Sequence, residues 1–129
     1  MEKLFRIAHG TSHDPEVDGW FDARPDELGH IARCWFGELR AAGGDVLELI
    51  HEGYPVACVE DAPFGYVNAF SAHVNLGFFR GAFLPDPGGI LQGTGKRMRQ
   101  VKVRPFVAYE GAYDPDALRK LIRGVHTST

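Results

Sequence analysis

The chain has 129 residues, of which 44% are hydrophobic and 24% are charged, proportions typical of one globular domain and not of a disordered, collagen-like or coiled-coil chain. Its 14 Lys and Arg residues against 17 Asp and Glu residues give a net charge of −3, which disfavours nucleic acid and anionic lipid as partners. The two cysteines lack the spacing of metal ligands, which predicts reduced thiols. The N-terminus does not resemble a signal sequence and the chain has no long apolar run, so we expect a cytoplasmic protein that does not enter a membrane.

Two helices are predicted before the first strand. Asp14 followed by a proline has the pattern of a capped helix start, which predicts a short helix over residues 15–22. A longer helix is predicted to begin at Pro25 and to stop at the glycines 43–44, with apolar residues at helical spacing between them. We expect a single domain over residues 1–129, in which residues 1–23 are an N-terminal extension and residues 24–125 form the core.

The middle of the chain is rich in Val, Phe, Tyr and Ala in runs bounded by Pro and Gly, which is typical of strands. Five strands are predicted, at residues 46–51, 56–60, 64–70, 73–79 and 98–103. A last helix follows, with Asp114 as its cap and Pro115 in its first turn. Consecutive strands between terminal helices indicate an α+β fold, in which helices pack on one face of an antiparallel β-sheet.

The third and fourth predicted strands form a hairpin if residues 71–72 are a two-residue turn. This register places Asn68 opposite Asn75 and Tyr66 opposite Gly77. One face of the hairpin then carries polar and aromatic side chains, namely Phe64, Tyr66, Asn68, Phe70, His73, Asn75 and Phe79. The other face is apolar and is predicted to pack against helices, through Val67, Ala69, Val74, Leu76 and Phe78.

A glycine-rich loop over residues 81–96 leads into a basic segment, residues 96–104, that contains five Lys or Arg side chains and no acidic one. Its glycine spacing and the arginine after Lys96 do not fit a nucleotide-binding P-loop. Exposed amides beside Lys96 and Arg99 favour a looser anion site. Strand alternation turns Arg99 toward the interior or a cleft, where we expect either a structural salt bridge or a ligand.

These patterns predict a non-catalytic binding or adaptor domain for a small anionic ligand, without a cofactor and as a monomer or homodimer. The ligand is expected between the polar hairpin face and the glycine-rich loop, in contact with Tyr66, Asn68, His73, Asn75, Lys96 and Arg99. An alternative is an enzyme that uses His73 as an acid or base, since histidine titrates near neutral pH.

Four segments, residues 73–81, 84–87, 93–96 and 98–103, resemble the signature of the YdhG-like family, a bacterial family of domains of unknown function within the YjbR/CyaY-like group. The resemblance covers roughly residues 25 to 125. It implies an α+β domain with an antiparallel sheet flanked by helices, and it carries no catalytic residues over to this chain.

One branch of similar proteins is regarded as frataxin-like and supplies iron for iron–sulfur assembly. This resemblance implies a second alternative, an iron chaperone that binds metal on an acidic helical surface. The corresponding residues are Asp18, Asp22, Asp26 and Glu27. Pro25 falls between Asp22 and Asp26, and separated carboxylates bind hard cations weakly unless they converge.

Overall fold

The structure is a computed structural model that describes residues 10–85, 89–105 and 115–127. Within these ranges it contains three α-helices, five β-strands and one short 3-10 helix. In chain order they are α1 (Pro15–Asp22), α2 (Glu27–Arg40), β1 (Val46–His51), β2 (Tyr54–Val59), β3 (Ala62–Ala69), β4 (Val74–Phe78), the 3-10 helix (Gly81–Phe83), β5 (Arg99–Val103) and α3 (Pro115–Thr127).

The five strands form one antiparallel sheet in which sequence neighbours pair, in the order β1-β2-β3-β4-β5. Residues of α1, α2 and α3 share a single hydrophobic core with one face of this sheet. The predicted α+β fold, with about five antiparallel strands and helices before and after them, is confirmed. In the described ranges, none of the helices has the length and apolar content needed to span a membrane.

The starts of α1 and α3 lie where the proline pattern predicts them. α1 covers residues 15–22, and the Asp14 carboxylate accepts a hydrogen bond from the Glu16 amide at 2.9 Å, which caps the helix. α3 begins at Pro115. Its predicted cap, Asp114, lies outside the described residues.

The start of α2 differs from the prediction. The helix begins at Glu27, and Pro25 precedes it. Asp26 has an extended backbone and its carboxylate accepts a hydrogen bond from the Gly29 amide at 2.9 Å. An aspartate satisfies an unpaired helix amide better as the cap than in the first turn, and this moves the start of the helix two residues beyond Pro25.

β2 begins at Tyr54, two residues before its predicted start. Glu52 and Gly53 both have positive φ, at 53° and 88°, and they form a two-residue hairpin turn that places His51 opposite Tyr54. Such turns match the right-handed twist of the two strands that they connect.

The predicted register of the β3–β4 hairpin is confirmed. Asn68 lies opposite Asn75 and Tyr66 lies opposite Gly77. The turn is closed by a hydrogen bond from the Phe70 amide to the His73 carbonyl at 2.9 Å.

The predicted face of Phe64 is wrong, because this side chain packs in the core on the helix side of the sheet. A β-bulge explains the change. Ala57 pairs with Gly65, but the next residue of β2, Cys58, pairs with Pro63. Phe64 is therefore the extra residue of β3, and an extra residue shifts the alternation of side chains between the two faces.

A buried ion pair connects the beginning of the described chain to the core. The Arg40 guanidinium lies 2.9 Å from the Glu48 carboxylate, which is only 5% exposed. Glu48 also accepts a hydrogen bond from the Asp14 amide at 3.0 Å, and Arg40 donates to the Ser12 carbonyl. Residues 12–14, predicted to lie in an extension, are thus fixed to both α2 and β1.

Candidate ligand-binding face of the sheet

One face of β3, β4 and β5 lies away from the helices, and we call it the open face. Strand side chains alternate between faces, and Val67, Leu76 and Val101 point into the helix-side core. The residues that precede and follow them along each strand have their side chains on the opposite face. The open face consists of Tyr66, Asn68, Phe70, His73, Asn75, Gln100, Lys102 and Arg104, none of them acidic.

A row of polar residues crosses the centre of the open face, with Asn68, Asn75 and Lys102 side by side on neighbouring strands. The Asn68 Oδ1 accepts a hydrogen bond from the Ala69 amide at 3.0 Å. The Asn75 Oδ1 is buried and accepts no hydrogen bond of normal geometry from the described part of the chain. A buried acceptor without a partner costs about 1–3 kcal/mol. Asparagine is also a poor strand former, so Asn75 is not explained by stability.

Aromatic rings border this polar row. The Tyr66 ring lies over Gly77, where a Cβ atom would be 1.9 Å from the ring. Its centroid is 5.0 Å from that of Tyr54 and 5.6 Å from that of Phe79. Burial raises the pKa of the Tyr66 hydroxyl, and the neighbouring Tyr54 raises it further. The Tyr66 hydroxyl therefore stays protonated and can donate a hydrogen bond at neutral pH.

His73 lies at the turn end of the open face. Its ring stacks on Phe70, with centroids 5.0 Å apart and planes 19° from parallel. Burial lowers the pKa of His73 below its ordinary value of 6.5, and the positive charges of Lys102 and Arg104 lower it further. The Asn75 side chain faces the His73 ring closely enough for a hydrogen-bond interaction that raises this pKa by a smaller amount, although the Asn75 Oδ1 has no hydrogen bond of normal geometry. At neutral pH the imidazole is therefore uncharged, with one nitrogen that donates and one that accepts.

The structure brings Tyr66, Asn68, His73 and Asn75 to one face, but it does not bring Arg99 to them. Arg99 pairs with Phe78 of the helix-side core, on the same side of β5 as Val101 and Val103. This side is the one that strand alternation predicts.

The Arg99 guanidinium donates to the carbonyl oxygens of Gly95 and Met98, at 2.5 and 2.7 Å. Lys96 is exposed in the same loop. Arg99 thus fixes the conformation of the loop through backbone carbonyls, and these contacts do not include the carboxylate that a salt bridge would require.

Sequence reasoning missed the two cations that do accompany the polar row, Lys102 and Arg104. The signal was available, because the alternation that turns Arg99 toward the helix side turns residues 102 and 104 toward the open face. Lys102 pairs directly with Asn75, and both cations affect the pKa of His73.

The acidic residues of the iron-binding alternative have separate partners. Asp18 lies 2.8 Å from His13 and Asp22 lies 3.1 Å from Arg33. Asp26 caps α2, and Glu27 lines a groove between α2 and α3. Among the described residues, no three or more His, Cys, Asp or Glu side chains are grouped so that they could hold a metal ion.

Comparison with known proteins leaves the family open, because no protein-family model, no curated protein and no solved structure matches the chain. The resemblance to the YdhG-like family stays a prediction.

Proposed function

We propose that this chain is a non-catalytic binding domain whose open face takes a small anion that also carries a hydrogen-bond donor. The observation that carries this proposal is the buried Oδ1 of Asn75, which accepts no hydrogen bond of normal geometry from the described residues. Buried polar atoms in proteins nearly always have a partner. A donor on the ligand supplies this partner in the bound state.

The charge of the ligand follows from the neighbours of Asn75. Lys102 lies beside it on β5 and Arg104 lies two residues further along the same side. Because none of the described residues of the open face is acidic, these cations create a local positive potential although the whole chain has a net charge of −3. Such a surface attracts anions and binds them by charge-assisted hydrogen bonds.

Tyr66 and His73 orient the ligand in this proposal. The Tyr66 hydroxyl is a donor, and the uncharged His73 ring offers a donor and an acceptor on the other side of the amide row. Lys102 and Arg104 take the role that the sequence suggested for Lys96 and Arg99.

The test is a titration with inorganic phosphate followed by the amide chemical shifts of ¹⁵N-labelled protein. We expect the largest shifts at Asn75 and Lys102. Lys102→Gln weakens binding by roughly fivefold because it removes a charge-assisted contact. Lys120→Gln, which removes an exposed lysine of α3, is the matched control and leaves the affinity unchanged.

Two results would overturn the proposal. One is a pattern of phosphate-induced shifts confined to the loop at residues 93–96, which would place the anion beside Lys96. The other is an equal loss of affinity in Lys102→Gln and Lys120→Gln, which would indicate only nonspecific attraction to positive charge.

A further inference from the structure

A groove on the helix side of the molecule, distinct from the open face, contains a cysteine and a histidine in contact. It lies between α2, α3 and the end of β5 and has a volume of about 390 Å³. That volume is within the range of small-molecule sites in proteins. Apolar side chains such as Ile31 and Trp35 and the cation Arg119 line it together with His30 and Cys34.

His30 and Cys34 are four residues apart on α2, so their side chains lie on the same face of the helix. The His30 Nε2 is 3.7 Å from the Cys34 Sγ, and both residues are exposed. An imidazole nitrogen at this distance can accept the proton of the thiol when the thiol reacts. The thiolate that results is the nucleophilic form of cysteine.

Cys58, the other cysteine of the chain, is in the opposite situation. It is 0% exposed, and burial raises the pKa of its thiol. A buried thiol that keeps its proton is inert. The chain thus has one thiol that reagents can reach and one that they cannot, which gives an internal reference for reactivity.

We infer that Cys34 is a modification site that exchanges with low-molecular-weight disulfides bound in the groove. His30 takes the proton from the Cys34 thiol, and the thiolate attacks one sulfur of the disulfide. A bond forms between that sulfur and the Cys34 Sγ while the original sulfur–sulfur bond breaks. The leaving thiolate takes the proton back from His30. Cys34 is oxidised to a mixed disulfide, the leaving half is reduced to a thiol, and no other oxidant is needed.

The charges around the groove are mixed. Glu27 and Glu38 of α2 line it, and Arg119 of α3 lies 3.1 Å from the Glu38 carboxylate. This arrangement is suited to a disulfide that carries both amino and carboxylate groups, of which glutathione disulfide is an accessible probe.

The experiment incubates the folded protein with glutathione disulfide and follows adduct formation by intact mass and peptide mapping. We expect one adduct, on Cys34, and none on Cys58. His30→Gln slows adduct formation by at least about tenfold, a modest part of what a positioned base contributes. His13→Gln, which removes an exposed histidine paired with Asp18 on α1, leaves the rate unchanged.

Three outcomes would contradict the inference. These are the absence of an adduct on Cys34, modification of Cys58 at a comparable rate in the folded protein, and equal rates in His30→Gln and the wild type. Circular dichroism of His30→Gln checks that the helix is intact, and a second variant, His30→Asn, keeps the experiment informative if the first one unfolds.

Discussion

Asn68 and Asn75 lie directly opposite each other on β3 and β4, but only one of the two side-chain oxygens accepts a hydrogen bond of normal geometry. The Asn68 Oδ1 accepts from the adjacent backbone amide, whereas the buried Asn75 Oδ1 accepts no such bond within the described chain. Two asparagines in one row of a sheet interior are unfavourable for strand stability. Strand packing therefore does not explain these residue types, and this is why we place the proposed ligand here.

Replacing Asn75 by valine is expected to stabilise the protein and to weaken phosphate binding. The substitution removes a buried acceptor that has no hydrogen bond of normal geometry and introduces a better strand former, so we expect the free energy of unfolding to rise by about 1 kcal/mol. Chemical denaturation of the unliganded protein measures this change.

Asn68→Val is the matched control, because it removes a hydrogen bond to the Ala69 amide and should give no such gain. A loss of stability in Asn75→Val would show that the Asn75 side chain is already satisfied in the free protein.

Removing the charge of Lys102 is expected to raise the pKa of His73. Burial is the largest cause that lowers this pKa, and the positive charge of Lys102 is the second largest. In Lys102→Gln the imidazolium loses an unfavourable neighbour. NMR titration of the His73 ring measures the shift, and Lys120→Gln should leave it unchanged. An identical His73 titration in wild type and Lys102→Gln would contradict the placement of Lys102 beside the ring.

The same pKa predicts how His73 affects stability as pH changes. Its folded pKa is below the unfolded value of 6.5, so the unfolded state binds the proton more readily. The contribution of neutral His73 to stability is complete above the unfolded pKa and is lost as pH falls through the folded pKa. Denaturation of wild type and His73→Gln should therefore show a stability difference that changes below pH 6.5 and is constant above it.

Gly77→Ala is expected to destabilise the sheet and to displace Tyr66. The added Cβ would lie 1.9 Å from the Tyr66 ring, so the ring must move at a cost of about 1–3 kcal/mol. Gly37→Ala in α2, where no atom lies within 4 Å of the added Cβ, should instead stabilise the helix by about 0.5–1 kcal/mol. Thermal unfolding of both variants measures these effects, and a neutral Gly77→Ala would refute the close contact between the ring and the glycine.

Glu48→Ala is expected to be strongly destabilising. It leaves the Arg40 guanidinium without its carboxylate at a site where Glu48 is 5% exposed, and loss of one partner of a buried pair costs about 3–5 kcal/mol. Asp22→Ala breaks the exposed pair with Arg33 and should cost less than about 1 kcal/mol. Urea denaturation of both variants makes the comparison, and similar small losses would show that the Arg40–Glu48 pair is dispensable.

Much of the fold is predictable from local patterns because these patterns agree with one another. Proline after a capping residue predicts the starts of α1 and α3, and a two-residue turn at residues 71–72 predicts the β3–β4 register. The start of α2 depends on whether Asp26 is the cap or a residue of the first turn, which is a small difference in local energy. The face of Phe64 depends on a bulge that involves pairing with β2, a tertiary feature that the sequence of β3 alone does not contain.

The candidate site is predictable only in part for a similar reason. Asn68 and Asn75 belong to one hairpin, so their proximity follows from a local register. Arg99 and Lys102 belong to β5, which follows a long loop, and their relation to the hairpin depends on which residues of β5 pair with β4. Alternation of side chains then separates Arg99 from the amide row and places Lys102 beside it.

The most direct test of the proposed function compares phosphate with sulfate at mildly alkaline pH, where both ions are dianions and only hydrogen phosphate carries an O–H donor. If Asn75 Oδ1 accepts a bond from the ligand, the wild type should prefer phosphate by about threefold to tenfold, the value of one hydrogen bond. Asn75→Val should bind the two ions equally. Equal affinities in the wild type, or a phosphate preference that persists in Asn75→Val, would contradict the proposal.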